Sequence, residues 1–84
     1  MKKIVYQENF AFIYFTKEFY DKQKIENSIL NYSDFVTHNL GELGKYLVLK
    51  ISLKNNDYTL KTLAEEISNY VLSEQFQKNQ EENK

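Results

Sequence analysis

The segment from Tyr46 to Leu53 alternates strictly: Leu47, Leu49, Ile51 and Leu53 fall on one parity, and Tyr46, Val48, Lys50 and Ser52 on the other. Side chains along a β-strand repeat every second residue, so four large aliphatics share one face of this strand. Such a face needs an apolar layer to pack on, and a chain of 84 residues has to supply it from within. At that length only about 60–65% of the surface exposed on unfolding is buried, so there is room for one small core. Two stretches of helical period provide the layer. Asp21 is a cap residue ahead of Ile25, Ile29 and Tyr32, with Leu30 beside them and Lys22, Gln23, Lys24, Glu26 and Asn27 on the wet side. After the polar turn Asn55-Asn56-Asp57, either Asp57 or Thr59 caps a second helix with the stripe Leu60, Leu63, Ala64, Ile67, Tyr70 and Val71. Leu47, Leu49, Ile51, Ile29, Leu63 and Ile67 are therefore expected to share one core.

Two further strands complete the pattern. Phe10-Ala11-Phe12-Ile13-Tyr14-Phe15 is short and built of strand formers, which favours a strand over a helix. Both of its parities are apolar. Either it is an internal strand covered on both sides, or one of its faces waits for a partner. Ser33-Asp34 ends the first helix, because both side chains compete for backbone hydrogen bonds. Phe35 to Leu40 then reads as a strand, and Gly41-Glu42-Leu43-Gly44 as the turn that follows it. The order is strand, helix, strand, strand, helix. It predicts an α+β fold, a two-layer β-α-β-β-α sandwich in which both helices cover one face of a three-stranded sheet. The Tyr46–Leu53 strand is placed in the middle, antiparallel to both neighbours. Residues 1–76 form the single domain, and the polar segment 77–84 is expected to fray.

Composition removes several classes of function. Cysteine is absent, so there is no disulfide framework, thiol chemistry or cysteine-based metal site. Net charge is −1 and every one of the 11 basic residues is lysine. That balance, without the bidentate fork of arginine, argues against a nucleic-acid partner. No apolar run is long enough to span a membrane, and Met1-Lys2-Lys3-Ile4 has the charge of a signal peptide without an apolar segment behind it. The expected location is the cytoplasm.

Residues capable of catalysis do not converge. His38 is the sole histidine. Asp34 shares its strand parity but lies roughly 13 Å away at strand rise, beyond hydrogen-bonding reach. The pairs Glu65-Glu66 and Glu81-Glu82 are sequence neighbours whose side chains diverge. Gly41-Glu42-Leu43-Gly44 has the spacing of the backbone-gripping loop of KH domains, but its middle pair is acidic and apolar, which suits a hairpin turn better. No catalytic residue, metal ligand set or cofactor is assigned.

A surface remains. If Ala11, Ile13 and Phe15 turn inward, then Phe10, Phe12 and Tyr14 turn outward beside Tyr46, Val48 and Lys50. Two helices cover only one face of such a sheet, so the aromatic face is a candidate interface.

The last helix, Leu63-Ala64-Glu65-Glu66-Ile67-Ser68-Asn69-Tyr70-Val71-Leu72-Ser73-Glu74-Gln75, resembles the carboxy-terminal helix of the HxsD family, small accessory proteins of His-Xaa-Ser systems. Glu66, Asn69 and Leu72 fit that family's acidic-aromatic-x-Asn-x-x-Leu pattern, with Ile67 in place of the aromatic. Phe15-Thr16-Lys17-Glu18-Phe19-Tyr20, Ile25, Ser28 and Tyr32-Ser33-Asp34-Phe35 look like its first strand and helix, so the similarity touches most of residues 10–75. The resemblance implies a noncatalytic bacterial protein that docks on a radical S-adenosylmethionine peptide-modifying enzyme or on its precursor peptide. The iron–sulfur cluster would then belong to the partner. It also singles out Asn69 as a partner-binding residue, alongside Phe10, Phe12, Tyr14, Tyr46, Val48 and Lys50. The alternative is a small structural or regulatory protein that forms a homodimer through the open sheet face.

Overall fold

The computed structural model describes the backbone of residues 3–82 and the side chains of residues 3–75. Along the chain run β1 (Lys3–Gln7), β2 (Phe10–Thr16), α1 (Lys22–Ile29), β3 (Val36–Leu43), β4 (Tyr46–Leu53) and α2 (Leu60–Glu82), with a short 3₁₀ turn, Leu30–Tyr32, closing α1. The strands form one antiparallel sheet in the order β1-β2-β4-β3.

This corrects the expected three-stranded sheet. The additional strand, β1, folds back through Glu8-Asn9 and pairs with β2 from Gln7↔Phe10 to Lys3↔Tyr14. In a three-stranded sheet β2 would be an edge with unpaired N–H and C=O groups; β1 satisfies them and lays Ile4 half-buried against the core. Prime-type hairpin turns with Asn-Gly or Gly-Gly are the usual sequence mark of a two-residue connection. Here neither Glu8 nor Asn9 takes a positive φ, so that mark is missing.

The second correction concerns β3. The strand does not stop at Leu40 but continues to Leu43, with Gly41 opposite Val48 and Leu43 opposite Tyr46. The reversal needs only Gly44-Lys45, where Gly44 has φ 58°, a conformation that costs a residue with Cβ far more. β4 lies between β2 and β3 and is antiparallel to both.

Alternation in β2 and β4 now has a definite sense. Ala11, Ile13, Phe15, Leu47, Leu49 and Ile51 are buried in one cluster with Ile25, Ile29, Leu63, Ala64, Ile67 and Val71. Both helices therefore sit on that face. Phe15 is closed by Tyr20, the ring centroids 4.9 Å apart. The first helix begins at Asp21, whose side chain accepts a hydrogen bond from the Gln23 N–H at 3.3 Å. The second is capped by Thr59, whose Oγ1 accepts from the Thr62 N–H at 3.1 Å. The expected frayed segment 77–84 has its side chains outside the described residues, and the backbone of α2 is helical through Glu82. Among the described residues no helix is long and apolar enough to cross a membrane.

Candidate functional site

The face of the sheet opposite the helices is built from the other parity of every strand. Residues paired across an antiparallel ladder share a face, so the register lays it out row by row. One row runs Lys3, Tyr14, Val48, Gly41; the next Val5, Phe12, Lys50, Asn39. Thr16, Tyr46 and Leu43 form a third row at one end; Gln7 and Phe10 on one side and Ser52 and Thr37 on the other close the opposite end. Six residues read from the sequence as an interface, Phe10, Phe12, Tyr14, Tyr46, Val48 and Lys50, are brought together here. The seventh, Asn69, is exposed on α2, in the helical layer on the far side of the sheet.

The aromatic side chains are half-buried rather than fully open, because they cover one another. Tyr14 and Tyr46 meet edge to face with centroids 5.7 Å apart, and Phe10 and Phe12 are tilted at 6.5 Å. These are the offset geometries that ring quadrupoles favour. Each end of the patch also holds a lysine ammonium over a ring: Lys50 at 4.2 Å from the Phe10 centroid, Lys3 at 5.5 Å from Tyr14, Lys45 at 5.7 Å from Tyr46. All three fall within the about 6 Å reach of a cation–π contact.

Charge divides between the two faces. The strands contribute one carboxylate, Glu42, and its pairing with Leu47 puts it on the helix side. There it binds Lys17 at 2.8 Å and lies 3.9 Å from Lys22. The hydrogen bond from Lys17 and its charge hold the Glu42 carboxyl below the ordinary carboxylate range. Glu65 and Glu66 also lie on the helix side. Burial, then the charge of Glu65, pushes the Tyr6 hydroxyl up; burial, then Glu66 and Tyr70, does the same for Tyr32. Tyr32 and Tyr70 pack edge to face at 5.7 Å, and the Asn31 side-chain amide donates to the Tyr70 hydroxyl at 3.2 Å.

His38 is exposed on β3 opposite Ile51. Asp34 precedes the strand in a turn, where its carbonyl accepts from the Asn55 amide at 3.3 Å. Among the described residues no three carboxylate or imidazole groups gather as metal ligands.

Sequence reasoning missed Lys3 and Val5, which β1 adds to the face, and Leu43, which was assigned to a turn. Leu43 is 60% exposed beside Tyr46 and widens the apolar patch. The available signal for β1 was a second run of strand formers, Ile4-Val5-Tyr6, separated from the first by three residues. Compared with family models, curated proteins and solved structures, the chain matches none.

Proposed function

We propose that this chain is a noncatalytic binding module that docks on a protein partner through the outer face of its sheet. The partner class follows the resemblance to the HxsD family: a radical S-adenosylmethionine peptide-modifying enzyme, or the precursor peptide it acts on. The observation that carries the reading is the cluster of Phe10, Phe12, Tyr14, Tyr46 and Val48 on a sheet face with no covering layer among the described residues. Aromatics of this kind, half-buried at rest, gain the remaining burial on association. Lys50 and Lys3 stand among them as polar contacts.

The face argues against its own pairing in a symmetric dimer. An isologous contact sets the same patch against itself, and this one carries lysines without a strand carboxylate to answer them. Light scattering combined with affinity capture and mass spectrometry tests the reading. A monomer that captures the radical enzyme or its precursor peptide, and loses it on Val48→Glu, is the expected result. A tight dimer that Val48→Glu dissociates favours self-association, and capture that survives the substitution puts the contact elsewhere.

A further inference from the structure

One end of the outer face is chemically unlike the rest. Lys50 pairs across the ladder with Asn39, and Ser52 with Thr37, so an ammonium, an amide and two hydroxyls converge beside the Phe10 ring. They line an open hollow of about 160 Å³ together with that ring, His38 and Ile51. Small-molecule sites usually enclose about 300–1,000 Å³, so this hollow suits a single side chain. Thr37 Oγ1 and Ser52 Oγ are 2.7 Å apart and share one hydrogen bond. Two hydroxyls carry two protons, and their mutual bond uses one, leaving the other to donate outward. With three donors on the Lys50 ammonium and two on the Asn39 amide, the hollow is rich in donors and carries positive charge. Its complement is an ionised group that only accepts.

Resting on the docking reading above, we infer that this hollow is a carboxylate subsite and that the segment docking on the outer face is an acidic stretch of polypeptide. The segregation of charge supports this choice of occupant. The chain has net charge −1, yet the face offers Lys3 and Lys50 with Lys45 at its rim, while the strand carboxylate Glu42 is turned to the helix side. Glu8, in the β1–β2 turn, borders an adjoining hollow with Phe10 and Ser52. A partner with glutamates or aspartates among apolar residues meets both the rings and the ammonium groups. A second copy brings lysine against lysine. A nucleic-acid strand needs free ring faces and a continuous basic track, whereas the Phe10 ring is covered by Lys50 and Tyr14 is engaged with Tyr46.

The test is a titration of the full chain, followed by fluorescence anisotropy, with three labelled peptides of one length. They alternate valine and tyrosine with glutamate, glutamine or lysine. An oligothymidylate of similar length is the fourth probe. The glutamate peptide is expected to bind about tenfold tighter than the glutamine peptide, and to weaken as salt is raised. Lys50→Gln should remove most of that preference, Lys50→Arg should retain it, and the glutamine peptide should be indifferent to both. Val48→Glu should weaken all binding. Equal affinity for the glutamate and glutamine peptides, with Val48→Glu still disruptive, leaves the docking face standing and overturns the carboxylate subsite. No saturable binding of the glutamate peptide, or tighter binding of the oligothymidylate, also overturns it. Loss of binding through unfolding is recognised by melting temperature, which the exposed Lys50 should not move.

Discussion

The two faces of the β2–β4 ladder are made by alternate residues of the same strands, yet they obey different rules. The inner face is aliphatic except for Phe15, and its members interlock with Ile25, Ile29, Leu63 and Ile67 to near-complete burial. The outer face is aromatic and lysine-bearing, and its rings and Val48 remain half-buried while its lysines are exposed. Aliphatic side chains can only be stabilised by removal from water and close packing. Rings with an ammonium over them tolerate water and keep a polar edge for a partner. One ladder thus holds a core on one side and keeps a surface on the other.

Breaking the inner face should have the largest effect. Leu49 is 0% exposed at the centre of β4, so truncation removes buried apolar volume from the core. Leu49→Ala is expected to cost about 2–5 kcal/mol, a large share of so small a domain's stability. Chemical denaturation measures this, and an unchanged midpoint would contradict the assignment of that face as core. The next residue along the strand should behave differently. Val48→Glu places a charge on the half-buried outer face, so the melting temperature should stay within a few degrees of the parent while partner capture is lost. Unfolding by Val48→Glu would show that both faces are core.

The inner face was legible because period-two and helical patterns each admit one sense: Leu47, Leu49 and Ile51 have to meet Leu63 and Ile67. The central place of β4 followed from the same logic, since the most alternating strand has the most to cover. The parity of β2 was not legible, because Phe10, Phe12 and Tyr14 are as apolar as Ala11, Ile13 and Phe15. What decides it is volume. Ala11 and Ile13 fit beneath helices, whereas three consecutive outward rings find room only where nothing is stacked on them. β1 escaped notice because its local signal is weak, a run of only three strand formers, Ile4-Val5-Tyr6, leading to a turn without glycine; its pairing is fixed by the edge of β2, which the sequence does not display. The turn at Gly44-Lys45 was misplaced because Gly41 looked equally able to reverse the chain, although it sits in regular ladder pairing with Val48. Of the candidate interface, the six sheet residues were legible as a set, and Asn69, suggested by resemblance alone, lies apart from them.

A smaller effect of opposite sign is expected inside the inner layer. Ser68 is 1% exposed on α2, and its Oγ has no hydrogen-bond partner among the described residues. A buried hydroxyl that has lost water without a replacement is a cost, and its removal leaves only a small volume behind. Ser68→Ala should raise stability by up to about 1 kcal/mol, read as a higher denaturation midpoint. A clear loss of stability would show that the hydroxyl is bonded in solution.

Glu42 sharpens the contrast in charge between the two faces. Its carboxyl is held below its ordinary range by Lys17, so in the folded state it stays ionised to lower pH than in the unfolded chain. That difference favours folding above the unfolded pKa and disappears as pH falls through the folded one. The pair is exposed, so Glu42→Gln should lower the melting temperature only slightly near neutral pH, and the two proteins should converge in acid. A gap that widens in acid would mean that another group is responsible.

The smallest expected effect is at His38, the side chain most open to a chemical role. It shares its face of β3 with Val36 and Leu40, and stands opposite Ile51. Leu49 and Leu53 are its diagonal neighbours across the ladder, so its ladder partners are apolar, and it also borders the hollow lined by Thr37, Lys50 and Ser52. General acid–base work requires a second group within about 2.6–3.2 Å, or one water further, and Ile51, Leu49 and Leu53 offer none. Its imidazole is exposed, so no buried hydrogen bond or packed volume is lost on truncation. His38→Ala should therefore leave the denaturation midpoint, the capture of a partner and the partner's turnover all close to the parent. A fall of several orders of magnitude in turnover, with fold and capture intact, would assign His38 a catalytic part and end the noncatalytic reading of this chain.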